Sequence, residues 1–558
     1  VNELVFDKWK IGTKQQDIAM YQELTTISKE ELVACFTGEL SFGTGGMRGV
    51  LGVGPNRMNR FTVRQAIYGF ARTLPKKAKV VIGYDTRNMS KEFAQEAAGV
   101  LLANGQRVYL FDEYAPTPEI VYAVKTYVAD FGIVITASHN PKEYNGIKLY
   151  NNRGSQLVPE EIAPIIEQVN QVKDIFSIPV KKSISKEPSL FILGTEVDKA
   201  YITALQSVCC QADQLQQEES LPFIYTPLHG TGQRIFSRLM QYIGQTDFLI
   251  CQKQTATDGS FFHAPAPNPE DVSVFQLSIE LAKKHSAELI FATDPDADRL
   301  GVMIKVDGKY QKLTGNQVGI LLLDYLIQQE TPLELAEKVV LSTIVSTGMV
   351  HALSQTHGFH VRQFLTGFKY IGHCIGDEIT EEEFFFGFEE SCGYLIKPIV
   401  QDKDAFQAML LLLEMAYYYR SKNQTLWTRL TALYQQYGYY LNELETIEVS
   451  GQPDLTAISK QLSKKDTLKK LGFKAFEDYH REIQIGDPAF FQSDIQTQEE
   501  FLRLSCDADS WICIRSSGTE PKLKIYYEMV AKTQTHATEK LSDYQKKIQQ
   551  LLKSELDF

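Results

Sequence analysis

Asp294, Asp296 and Asp298 occupy alternate positions in Thr293-Asp-Pro-Asp-Ala-Asp-Arg299. In extended backbone such residues face the same way, so three carboxylates would crowd one side of a loop, and a hard divalent cation relieves that repulsion. An EF-hand would need glycine at the sixth position and a carboxylate at the twelfth, where this chain has Arg299 and Lys305. Three protein ligands suit Mg²⁺, which commonly keeps places for water and phosphate oxygens. An acidic surface turn is the alternative, although an apolar strand leads into the loop and another leads out. The second stretch is Ile133-Val-Ile-Thr-Ala-Ser138-His139-Asn140-Pro141, followed by Lys148. Its β-branched run reads as a buried strand that delivers a hydroxyl into a turn, with an imidazole beside it and an ammonium ten residues on. Ser-Asn-Pro also fits any turn, so this stretch gains weight only from a partner site. In Phe42-Gly-Thr-Gly-Gly-Met-Arg48-Gly49, four glycines surround one arginine, which suits close approach of backbone to an anion. A presented serine, a three-aspartate metal loop and phosphate-type loops together describe phosphoryl transfer through a phosphoserine, whose oxygens and charge would complete the aspartate site.

The elements that must hold these loops follow from periodicity. Val80 to Tyr84 reads as a strand, Ser90 to Ala103 as a helix, Val108 to Phe111 as a strand, and Pro118 to Thr126 as a helix with Thr117 as its N-cap. That alternation predicts a parallel α/β sheet with the serine loop at the carboxyl end of the next strand, where such sheets bind ligands. The strand-loop-helix pattern recurs twice more, around Phe223 to Gly232 with Leu289 to Val306, and from Val339 to Tyr370. Asp17 to Ala34 has helical spacing, and Ala405 to Tyr419 reads as a buried helix too short to span a bilayer. Near the C-terminus, Trp511 to Arg515 and Lys522 to Tyr526 alternate around a polar turn, which predicts an antiparallel pair in a smaller α+β domain.

At 558 residues the chain exceeds what one core supports, so roughly three or four domains are expected. Its 44% apolar and 23% charged content is ordinary for a globular protein. The net charge of -12 argues against a nucleic-acid or anionic-membrane surface. Eight cysteines without CxxC spacing suggest neither zinc clusters nor a disulfide framework, and a reducing, cytoplasmic setting fits best. No basic-then-apolar leader is visible at Val1 to Trp9.

Thr136-Ala-Ser-His-Asn-Pro, Thr293-Asp-Pro-Asp-Ala-Asp-Arg, Gly387-Phe-Glu-Glu-Ser391 and Arg515-Ser-Ser-Gly-Thr-Glu-Pro resemble, in order, the four signature loops of the α-D-phosphohexomutase superfamily. Phe42 to Gly49, Pro227 to Gly232 and Val400 to Asp404 further resemble its phosphoglucomutase branch, which includes the phosphopentomutase and glucose-1,6-bisphosphate synthase group. The resemblance implies three similar α/β domains with mixed, mostly parallel sheets and a smaller C-terminal α+β domain around a central cleft. We place these at residues 1–200 with the phosphoserine loop, 201–313 with the metal loop, 314–425 with the sugar-recognition loop and 426–558 with the phosphate-binding loop.

Carried onto this chain residue by residue, the resemblance implies that Ser138 is the phosphorylated serine and that Mg²⁺ is held by Asp294, Asp296, Asp298 and the phosphoserine oxygen. Arg48 and Arg299 would steady the phosphoryl group. Lys148 would be general acid/base if the pocket depresses its pKa, with His139 as helper. Glu389 and Ser391 would bind ring hydroxyls, Thr366 and Lys403 would add sugar or phosphate contacts, and Arg515, Ser517, Gly518 and Thr519 would hold the non-reacting phosphate. Glu390 sits where dual glucose/mannose enzymes of the family carry Met, which points to a glucose-type substrate. Ser516 replaces the family's usual Pro after the loop arginine, so the turn loses a rigid ring. The implied activity is interconversion of α-D-glucose 1-phosphate and glucose 6-phosphate, with glucose 1,6-bisphosphate as intermediate and primer. Phosphopentomutase, bisphosphate synthase or phosphomannomutase activity is the alternative within the family, and a metal-dependent phosphatase or a sugar-phosphate sensor lies outside it. Sugar phosphates are the expected partners, without nucleic acid or membrane, for a monomer or a dimer.

Overall fold

A computed structural model describes residues 2–43, 46–216, 220–449, 455–491, 500–516 and 522–555. The chain divides into two compact units, Val1–Gly315 with Gly367–Ser421, and Asn316–Thr366 with Lys422–Phe558.

In the first unit, Lys79–Tyr84, Arg107–Phe111, Phe131–Ile135 and Leu190–Leu193 run parallel, with the helices Ser90–Ala103 and Thr117–Thr126 as crossovers. Tyr144–Asn151 then returns antiparallel beside Phe131–Ile135 and carries Gly46–Val50 and Phe42–Gly43 at the sheet edge, giving seven strands among the described residues. The sheet is therefore mixed, with its parallel part where the β-branched run predicts it. The helix Arg60–Thr73 covers one face, buries Val63, Ala66, Ile67 and Phe70, and starts on a capping box between Asn59 and Thr62. A second sheet has the parallel strands Phe223–Thr226, Phe248–Ile250 and Leu289–Thr293, extended antiparallel by Leu300–Val306 and Lys309–Leu313. A further hairpin pairs Phe384–Glu389 with Gly393–Leu395 before the helix Ala405–Arg420, whose side chains are buried almost throughout, as its apolar run predicts.

Three of the chemistry-bearing loops share one local design. Each is the turn of an antiparallel hairpin: the serine loop after Phe131–Ile135, the aspartate loop after Leu289–Thr293 and the Glu390-Ser391-Cys392 turn after Phe384–Glu389. Each places one non-glycine residue in the left-handed region, Ser138 at φ 50°, Ala297 at φ 51° and Cys392 at φ 66°. That conformation costs a side-chain-bearing residue about 1–2 kcal/mol, so the surrounding hairpin must over-determine it.

Two local expectations are corrected. The helical spacing of Asp17 to Ala34 is two helices, Ile18–Thr26 and Lys29–Phe36, because Asp17 and Ser28 turn their side chains onto Met20 N and Glu31 N as caps. Thr117 is not an N-cap: the helix starts at Thr117 itself, Pro116 precedes it, and the threonine hydroxyl is engaged elsewhere.

In the second unit, Val339–Thr343 pairs parallel with His360–Phe364. Tyr439–Glu448, Lys522–Ala531, Trp511–Ser516, Phe501–Ser505, Ala475–Asp478 and Ile483–Gly486 form an antiparallel sheet under the helix Gln534–Glu555. This is the smaller α+β domain, and Trp511 to Ser516 pairs with Leu523 to Glu528 as the alternation predicts.

Candidate active site

The aspartate loop is held from behind before it holds anything. Thr293 Oγ1 lies 2.9 Å from Tyr225 Oη, and Pro295 O accepts from both Thr231 N (2.8 Å) and Thr231 Oγ1 (3.0 Å). A Cβ on Gly230 would stand 2.4 Å from Pro295 Cα, so only glycine lets the Pro227 to Gly232 loop lie this close. Inside the turn, Asp294 Oδ1 accepts the amides of Asp298 (3.1 Å) and Arg299 (3.0 Å).

The remaining carboxylate oxygens point together. The three aspartates are fully buried and offer ligand atoms within 4.8 Å of one another. Lys148 Nζ donates to Asp296 Oδ2 (2.7 Å) and Asp298 Oδ2 (2.9 Å), and Lys403 Nζ lies 3.3 Å from Asp298 Oδ2. Asp296 Oδ1 and Asp298 Oδ1 are buried without any hydrogen-bond partner. Orphaned buried carboxylate oxygens are costly, and two of them beside a third carboxylate fit a divalent cation. The electrostatics agree. Burial, then Asp296 and Asp298, push Asp294 well above the usual carboxylate range. Burial pushes Asp296 up, but Lys148 together with hydrogen bonds from Asp294 and Thr117 holds it below that range.

Ser138 Oγ donates to Asp294 Oδ2 at 2.7 Å, which brings the two sequence-predicted sites into contact. His139 Nδ1 lies 3.3 Å from the same hydroxyl. Arg87 fastens the serine loop. Its guanidinium donates to the carbonyls of Ser138, Asn140, Pro141 (2.8 Å) and Tyr144 (3.1 Å), pairs with buried Asp85 and packs over the Phe261 ring. Arg48 reaches Asn140 Oδ1 at 2.8 Å, and its pKa is lowered by burial and by Arg299 and Arg87 nearby. Arg48, repelled by two further guanidiniums and bonded to the serine loop, makes a place for an anion.

Arg299 Nη1 donates to Glu270 Oε1 (3.0 Å) and to the carbonyl of Ser391 (3.1 Å), and Leu300 N to Cys392 O (3.0 Å), so the third hairpin turn abuts the aspartate loop. Glu389 is buried there and helps raise the Arg299 pKa. Lys403 stands at Asp298 and Asp402. In the second unit, Arg515 Nη1 donates to Thr366 Oγ1, which brings these two predicted residues together. Ser517, Gly518 and Thr519 lie outside the described residues, as do Thr44 and Gly45.

One expectation fails in direction. Lys148 is not depressed: burial lowers its pKa, but Asp296 and Asp298 together carry it above the ordinary lysine value. Sequence reasoning also passed over Arg87 and Asp85, and took Thr117 for a helix cap alone. Asp85-Thr-Arg87 follows directly on a sheet strand at its carboxyl end, which is the signal that could have found the clamp.

Family models for phosphoglucomutase/phosphomannomutase alpha/beta/alpha domains I, II and III match residues 39–175, 199–308 and 314–437. A phosphoglucomutase of Staphylococcus epidermidis is 35% identical over 500 residues, covering 88% of this chain and 90% of the relative. The chain belongs to the phosphoglucomutase/phosphomannomutase family. A Staphylococcus aureus phosphoglucomutase is 34% identical over 521 residues, covering 91% of this chain and 92% of that protein. Among solved structures, the parafusin phosphoglucomutase of Paramecium aligns with a TM-score of 0.71 at 18% identity, covering 92% and 95% of the two chains. A family member from Burkholderia thailandensis aligns at 0.67 and 19%, covering 93% and 98%. These structures share the fold of three α/β domains and a C-terminal β-rich domain. As a member of the family the protein is an isomerase that works as an intramolecular phosphotransferase. Among the described residues no helix is long and apolar enough to cross a membrane.

Proposed function

We propose that the protein is a phosphoglucomutase, interconverting α-D-glucose 1-phosphate and glucose 6-phosphate through a phosphoserine at Ser138. The observation that carries this reading is the 2.7 Å bond from Ser138 Oγ to Asp294 Oδ2, made within a cluster of three aspartates and three arginines. The names of the staphylococcal relatives support the same activity.

Asp294, Asp296 and Asp298, with a phosphoserine oxygen, would hold Mg²⁺. When bound, the ion neutralises carboxylate and phosphoryl charge, the main need in this transfer. Arg48, Arg87 and Arg299 hold the phosphoryl oxygens or the loop beneath them. The substrate O6 attacks phosphorus, the P–Oγ bond breaks, and the O6 proton passes to a base, which we assign to Lys148. Burial lowers the Lys148 pKa towards that task, and a cation that neutralised Asp296 and Asp298 would weaken the two charges that raise it most. His139 is the imidazole within reach of Oγ and returns a proton to it. Glucose 1,6-bisphosphate then re-presents its other end, Ser138 takes the phosphoryl from O1, and the cycle closes. Glu389 and Ser391 are assigned to the ring hydroxyls, Thr366 and Lys403 to sugar or phosphate contacts, and Arg515, Ser517, Gly518 and Thr519 to the resting phosphate. We assign the four domains to residues 1–200, 201–313, 314–425 and 426–558, and the enzyme to a reducing cytosol.

Intact-mass measurement should show one added phosphate that Ser138→Ala lacks, with turnover abolished and the fold retained. Turnover should require the bisphosphate primer, and glucose 1-phosphate should outcompete mannose 1-phosphate and ribose 1-phosphate. A normal rate in Ser138→Ala would end this reading. Phosphate release without primer would favour a phosphatase.

A further inference from the structure

The metal-loop aspartates are oriented by different sets of partners, and one partner comes from a residue with no part in the chemistry above. Asp294 is fixed through Oδ1 by backbone amides, and Asp298 through Oδ2 by the lysines 148 and 403. Asp296 Oδ2 accepts from Lys148 at 2.7 Å and from Thr117 Oγ1 at 2.8 Å, while its Oδ1 is buried and unpartnered. Thr117 is itself fully buried and is tied to the same residue twice, since its amide also donates to the carbonyl of Asp296 at 2.8 Å. A lysine is a flexible donor on a four-carbon stem, whereas a β-branched threonine is stiff at χ1, and here its backbone is anchored to the residue it orients.

We propose that Thr117 is a positioning residue of the cation site: its hydroxyl fixes Asp296 Oδ2 and so leaves Oδ1 aimed at the cation. The inference rests on the reading of the three aspartates as a cation site. Thr117 opens the helix Thr117–Thr126 on the first sheet, and Asp296 belongs to the turn of the second. The two-point contact therefore also sets the register between these elements. Thr117 makes no contact with the cation, in the manner of outer-shell groups that orient ligating carboxylates.

The test is Mg²⁺ binding by calorimetry on the full chain, with Thr117→Val, Thr117→Ser and Thr117→Ala. Valine keeps the shape and removes the hydroxyl, and serine keeps the hydroxyl and removes the methyl. Valine should weaken Mg²⁺ binding by about tenfold or more, and serine should stay near the parent. Melting temperatures of the metal-free variants are measured beside them, since valine gives up a buried hydrogen bond and serine a buried methyl. A merely structural threonine would lower the melting temperatures while leaving the Mg²⁺ affinity of every variant within about fivefold of the parent. Should the valine variant not fold, alanine against serine isolates the same hydroxyl. If the hydroxyl-free variant binds Mg²⁺ less than about fivefold more weakly than serine, the proposal is overturned. If the parent chain binds no Mg²⁺, the cation-site reading itself fails, and the parent measurement shows this without any variant.

Discussion

Arg87 shows how much of this site depends on one side chain that works by holding the serine loop. Its guanidinium serves carbonyls at Ser138, Asn140, Pro141 and Tyr144 while Asp85 balances its charge. Arg87→Lys keeps the charge opposite Asp85 but supplies a point ammonium where the loop needs a planar fork. The serine hydroxyl should then wander, and kcat should fall by about 100-fold, the scale of an ångström's misplacement. Mg²⁺ affinity should not change, because Arg87 makes no bond to the three aspartates. A kcat within threefold of the parent would remove Arg87 from the mechanism. Arg87→Ala strands buried Asp85 and should cost about 3–5 kcal/mol in urea unfolding, and Asp85→Ala made with it should recover part of that loss. Ser138 and the aspartates were legible in the chain because alternation and turn chemistry are local. The Ser138–Asp294 bond and the Asp85–Arg87 clamp were not, because both depend on which strands become neighbours. Lys148 was legible as a functional lysine, but the direction of its pKa was not. That direction is set by two aspartates about 150 positions away.

At the scale of elements, the recurring device is a hairpin turn with one strained residue, fixed by groups from elsewhere in the fold. The strands entering and leaving the aspartate loop were legible in the sequence, but their antiparallel pairing was not, since a short apolar run does not disclose whether its successor runs parallel or returns. The helix Ala405–Arg420 was legible for the opposite reason: it is apolar on nearly every face and needs no partner to identify it. Its cap carries a pH dependence. Asp404 Oδ1 accepts the amides of Phe406 and Gln407, and Tyr201 Oη donates to Asp404 Oδ2 at 2.7 Å. Burial pushes this carboxyl up to about 6 despite those bonds. The folded state then binds more protons than the unfolded state between about pH 4 and pH 6, so stability should fall as pH rises through that window. The shift corresponds to roughly 3 kcal/mol. Asp404→Asn should be less stable at pH 4, because its amide nitrogen meets the Gln407 donor, but its stability should lack this slope. The gap between the two proteins should therefore narrow towards pH 7. Parallel curves would show that Asp404 keeps its ordinary titration.

At the scale of the whole molecule, the chain crosses three times between its two units, and the residues assigned to phosphoryl transfer fall in Val1–Gly315 with Gly367–Ser421. Thr366, assigned to sugar or phosphate contacts, and Arg515, assigned to the resting phosphate, fall in the other unit. A protein divided in this way need not unfold in one step, and each cooperative part should answer only to the ligands it binds. Scanning calorimetry should resolve two transitions. Mg²⁺ at about 100 times its Kd should stabilise the transition of the first unit by about 2.7 kcal/mol and leave the second in place. Arg515→Ala should do the reverse of a metal-loop variant, raising KM for the sugar phosphate without changing Mg²⁺ affinity. If Mg²⁺ moved both transitions equally, the units would be one thermodynamic body, and the separation of cation and phosphate binding would have to be abandoned. If it moved only the second, the aspartates would be the wrong site.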